Sequence, residues 1–144
     1  MSEVSANRSS ASNRLWRNIG AAFVGILTAV VPAILCDALM RAIGVFPASG
    51  QTMMGWQFLL ATFYRTIFSI AGSYVAARLA VYRPMGLALV LGWIGLFVNL
   101  LGLAAAWTHP ELGPRWYPIA LTVLALPCAW LGGRLAMRQR ESSR

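Results

Sequence analysis

Few residues in this chain of 144 are equipped for chemistry: one histidine, two cysteines, four acidic residues and twelve basic ones, all of the last arginine. Two of the charges, Asp37 and Arg65, fall inside apolar stretches. A charge in the hydrocarbon core of a bilayer costs about 2.5–3.5 kcal/mol on insertion scales, so each needs a partner or a purpose. Arg65 follows the interfacial Trp56 at a distance of roughly 13 Å along a helix, which is near the membrane midplane. Asp37 is the sole acidic residue in any apolar run. It reaches a comparable depth, about 9 Å below the outer surface, if the first helix extends to Ile43.

Asn99 and Thr122 lie at similar depths in the two later runs, and Tyr64 and Gln57 belong to the same half. Asp37, Arg65, Asn99, Thr122, Tyr64 and Gln57 are therefore expected to form one intramembrane polar layer. Two chemistries fit it. In the first, favoured reading, an ion pair with hydrogen-bonded satellites sets the helix register, with Arg41 four residues after Asp37 as a further neighbour. In the second, the layer is a ligand or proton site, with Asp37 exchanging a proton and Arg65 holding an anion. A four-helix exporter driven by protons would place its carboxylate mid-span in helix one, whereas Asp37 comes late.

Other chemistry finds little support. His109 and Glu111 flank Pro110 in a loop without a nucleophile or a second acid beside them, and read as solvated surface. Cys36 and Cys128 lie in separate apolar runs and read as small buried apolar residues. No metal or cofactor is expected: one histidine cannot supply a metal cluster, and haem ligation would need histidines within the spans. A catalytic constellation is missing, so the sequence leans away from an enzyme.

The elements that carry these residues follow from composition. The chain is 58% apolar and 11% charged, against about 25% charged for an ordinary soluble domain, so it reads as an integral membrane protein. The net charge of +8 with a pI near 11.1 would point to nucleic acid in a soluble protein. Here the arginines sit at the ends of apolar runs, so anionic lipid headgroups are the expected partner and nucleic acid is not.

Four apolar spans are expected at about 18–43, 56–81, 84–107 and 116–137, giving a transmembrane domain over 15–138. It is flanked by a disordered cytoplasmic tail at 1–14 and a second tail at 139–144. The charge-free run Asn18–Cys36 is longer than a signal-peptide core and is kept as a mature helix. Short connections imply an all-α, up-down-up-down four-helix bundle. Nine arginines fall on one side and two on the other, which places both termini in the cytoplasm of a bacterial inner-membrane protein.

In lipid, small residues decide which helix faces meet. Ala88, Gly92, Gly95, Asn99, Gly102 and Ala106 alternate spacings of four and three, an expected packing seam along the third span. Comparable stripes run through Gln57, Ala61, Arg65, Ser69, Gly72 and Ala76, and through Thr122, Ala125, Ala129 and Gly132. Pro32 and Pro127 lie within spans and could kink them. The functional expectation is a structural, accessory or oligomeric membrane subunit, either a homo-oligomer or a partner to another membrane subunit. The alternative is a small proton- or anion-coupled transporter using Asp37 and Arg65.

Overall fold

The computed structural model describes the backbone at 2–47, 51, 53–109 and 114–142, with side chains described from residue 12 onward. Pro110 and Glu111 of the expected surface loop lie outside these residues, so their part in that reading is left aside. Four helices make up the fold: α1 (Ser2–Ala42), α2 (Gly55–Leu79), α3 (Pro84–Thr108) and α4 (Trp116–Ser142). All four are long and apolar enough to cross a membrane, since 25 residues of helix rise about 37 Å against a core of about 30 Å.

The termini differ from expectation. α1 is helical from Ser2 and α4 runs to Ser142, through both stretches read as tails. Nucleation is the costly step of helix formation, and each residue added to an existing helix brings one backbone hydrogen bond. The polar ends therefore prolong the spanning helices. α1 and α4 also continue through Pro32 and Pro127 without interruption.

The packing order is not the chain order. α2 touches all three other helices, α1 rests on α2 and only brushes α3, and α1 and α4 do not meet among the described residues. α1 and α2 run antiparallel, with Gly25 against Gly72 and Asp37 against Arg65. α3 and α4 are likewise antiparallel, with Gly92 against Ala129 and Asn99 against Leu121. α2 and α4 lie parallel, with Phe58 beside Tyr117 and Ser73 beside Gly132.

Glycine sets this order. A Cβ on Gly132 would stand 2.5 Å from the Ile70 carbonyl oxygen, and one on Gly92 would stand 2.6 Å from Ala129 Cβ. Each crossing exists because no side chain separates the backbones, which is how apolar helices gain dispersion contact in lipid. The interior accordingly consists of small residues. Ala76, Ala77, Ala88 and Ala136 are 0% exposed, and no large side chain is fully buried among the described residues.

The seam expected on α3 is only partly used. Ala88, Gly92 and Ala106 are buried, but a Cβ on Gly95 or Gly102 would meet nothing within 4 Å. The reason lies in α1, which the Gly25–Gly72 crossing holds on α2 and away from α3. At the end where α1 passes the α2–α3 turn, polar groups tie the helices together. Asn18 accepts from the Val81 amide at 3.1 Å and donates to the Tyr82 carbonyl at 3.1 Å. Arg140 donates to the carbonyls of Arg78 at 2.6 Å and Ala80 at 2.8 Å. Those carbonyls end α2 without an intrahelical partner, so α4 caps α2. We refer to this as the clasp end.

Candidate functional site

The two charges that fall inside apolar stretches, Asp37 and Arg65, find each other. Asp37, five residues before α1 ends, presents both carboxylate oxygens to α2. Oδ2 accepts from Arg65 Nη2 at 2.5 Å and Oδ1 accepts from the Tyr64 hydroxyl. Neighbouring residues on a helix point about 100° apart, so both reach one carboxylate because it lies between their directions. Arg65 and Asp37 side chains are 39% and 24% exposed, and the pair is neutral as a unit. Tyr64 is buried against Phe46 and Ala61, with its ring 6.1 Å from that of Phe68. That packing orients the hydroxyl. Arg65 Nε is buried and makes no hydrogen bond.

The other three residues of the expected layer do not join this network. Asn99 Nδ2 donates to the Leu121 carbonyl at 3.2 Å, linking α3 to α4. Thr122 donates to Pro118 O, 2.7 Å away in its own helix, the usual local solution for a hydroxyl with no partner across the interface. Gln57 accepts from the Met54 amide at 2.7 Å and donates to the Val45 carbonyl at 2.5 Å. It thereby closes the first turn of α2 and pins the α1–α2 connection. Depth alone grouped the six residues; rotation about each helix axis separates them.

Arg65 and Asn99 do share a cleft. Because α1 leans on α2 and hardly touches α3, a slot of about 300 Å³ opens between α1 and α3, with α2 and α4 as its floor. Arg65, Ser69 and Ser73 recur every fourth residue along its α2 wall, while the facing wall is apolar except for Asn99. Ser73 is only 5% exposed, and neither serine hydroxyl makes a hydrogen bond among the described residues. Ser73 escaped the sequence reading because a lone serine near small residues looks like packing. Its four-residue spacing from Ser69 was the available signal.

Tyr117, in the first turn of α4, packs against the same cluster of Phe46, Ala61 and Tyr64. Its ring lies 5.1 Å from that of Phe58, within electrostatic range of Arg65 and Asp37. No known protein family, no curated protein and no solved structure matches this chain.

Proposed function

We propose that this is a small multi-pass protein of the bacterial inner membrane that acts as a structural or accessory subunit, or as a homo-oligomer. Its helices alternate up and down across the bilayer, and both termini face the cytoplasm. One observation carries the functional part: both carboxylate oxygens of Asp37 are engaged, by Arg65 and by Tyr64. A carboxylate held on both sides locks helix register, whereas a proton carrier must exchange partners during its cycle. The open small-residue position Gly102 on α3 leaves a face on which a further helix can approach closely.

The orientation rests on the nine-to-two distribution of arginines. Arginines stacked on aromatic rings at the helix ends agree with an interfacial setting at anionic headgroups: Arg83 over Tyr82, Arg134 over Trp130 and Arg115 over Trp107, at 5.4, 4.8 and 4.9 Å. The alternative, a proton- or anion-coupled transporter using Asp37 and Arg65, draws on the slot that reaches Arg65.

The deciding experiment extracts the protein in mild detergent and measures its mass by mass photometry, with crosslinking in membranes alongside. A defined oligomer or a reproducible partner is expected. A monomer without a partner, together with proton flux in proteoliposomes that Asp37→Asn abolishes, transfers the assignment to the transporter.

A further inference from the structure

The slot between α1 and α3 has a shape and a chemistry of its own, separate from any oligomeric role. Ser73 and Arg65 stand eight residues apart on α2, so the slot runs about 12 Å along the helix axis. A volume of about 300 Å³ over that length corresponds to a section of about 25 Å². A helix about 10 Å across has a section of about 80 Å² and does not enter. A single hydrocarbon chain does.

The length of α2 on either side of these residues puts the slot at the level of the acyl chains, where the solvent around it is lipid. One wall carries groups that a hydrocarbon alone leaves unsatisfied. The Ser69 and Ser73 hydroxyls are without partners among the described residues, and Ser73 is 5% exposed. Arg65 borders the same space and Asn99 faces it from α3. Unpaired polar groups at this depth are costly, and an oxygen acceptor on the occupant relieves them.

The sign of the occupant follows from charge. Arg65 is already neutralised by Asp37, so an anion entering the slot would add an unbalanced charge in a medium of low dielectric. A neutral oxygen adds none.

We propose that this slot binds one neutral, elongated lipophilic molecule of the bilayer, a single hydrocarbon chain bearing an oxygen acceptor such as a hydroxyl, carbonyl or ester. The chain lies against the apolar wall of α3 and α4, and the oxygen lies along the Arg65–Ser69–Ser73 stripe. Entry is lateral, through the gap between α1 and α3.

The test uses the full chain in lipid nanodiscs with a diazirine-tagged dodecanol as photoprobe, challenged by unlabelled dodecanol, dodecane or dodecanoate. Saturable labelling within the slot is expected, with dodecanol competing at least tenfold better than dodecane and better than dodecanoate. Gly95→Leu projects a side chain into the slot from a position whose Cβ meets nothing within 4 Å, and should cut labelling at least fivefold. Gly102→Leu, equally unobstructed but outside the slot, should leave it intact. The nearly isosteric Ser69→Ala should narrow the gap between dodecanol and dodecane, which keeps the test independent of any bulky substitution. Unsaturable labelling, equal labelling of Gly95→Leu and the parent chain, or dodecane or dodecanoate competing as well as dodecanol overturns the proposal.

Discussion

Gly25 and Gly72 bring the backbones of α1 and α2 into direct contact: a Cβ on Gly72 would stand 2.5 Å from the Gly25 carbonyl oxygen and 2.8 Å from Ala29 Cβ. Backbone atoms cannot rotate away as a flexible side chain can, so even one methyl forces the helices apart. Gly72→Ala should destabilise the protein by about 1–3 kcal/mol, the usual cost of overpacking. Gly95→Ala, placed where nothing lies within 4 Å, should be close to neutral. Thermal unfolding in detergent compares the two, and equal losses would contradict the crossing geometry.

Asp37 and Arg65 should behave as a unit. Asp37→Ala strands a guanidinium among the helices, and its cost should stay below the about 3–5 kcal/mol typical of a fully buried pair, because both side chains are partly exposed. Tyr64→Phe removes a single interhelical hydrogen bond, for which measured values average about 0.6 kcal/mol and reach about 1.7. The double variant Asp37→Asn/Arg65→Gln should be milder than Asp37→Ala. Reversible unfolding in mixed detergent micelles would show the ranking, and a double variant as damaging as the sum of its singles would disprove coupling.

These contacts were unequally legible in the sequence. The four long apolar helices were plain, because an extended apolar run with few charges has few alternatives to a helix able to span a membrane. The Asp37–Arg65 pair was legible for the same reason: two opposite charges in the same membrane half have few other partners. Thr122 and Gln57 misled because depth is readable from residue counts, whereas the angle at which a helix faces its neighbours depends on crossings such as Gly132 on Ile70. The order α1–α2–α4–α3 was hidden for that reason too. Several glycines compete for each interface, and only three-dimensional fit decides which ones meet.

The clasp end offers a local test. Asn18 accepts from the Val81 amide at 3.1 Å and donates to the Tyr82 carbonyl at 3.1 Å, so Asn18→Ala frees the turn between α2 and α3. Each such bond contributes about 1 kcal/mol, and 1.4 kcal/mol corresponds to a factor of ten. Hydrogen exchange at Val81 should therefore quicken by about fivefold to tenfold, while amides in mid-α2 keep their protection. Unchanged exchange at Val81 would mean that the turn holds without α1.

The arginine distribution makes the most direct prediction about placement in the membrane. Insertion machinery and membrane potential retain arginine-rich flanks on the cytoplasmic side. By sequence position, nine of the arginines adjoin one set of helix ends, and Arg41 and Arg115 adjoin the other. A fluorescent protein fused to either terminus should fold and emit in the cytoplasm, and alkaline phosphatase fused there should stay inactive. The reverse should hold for phosphatase inserted after Gly44, in the connection between α1 and α2. Replacing Arg78 and Arg83 by Gln weakens the bias from nine against two to seven against two, so the orientation should survive. Adding four arginines after Gly44 to that variant brings the second side to six, and a measurable fraction of inverted chains is then expected. If the parent chain already yields active phosphatase at a terminus, charge does not govern its insertion, and the proposed cytoplasmic placement of the termini falls with it.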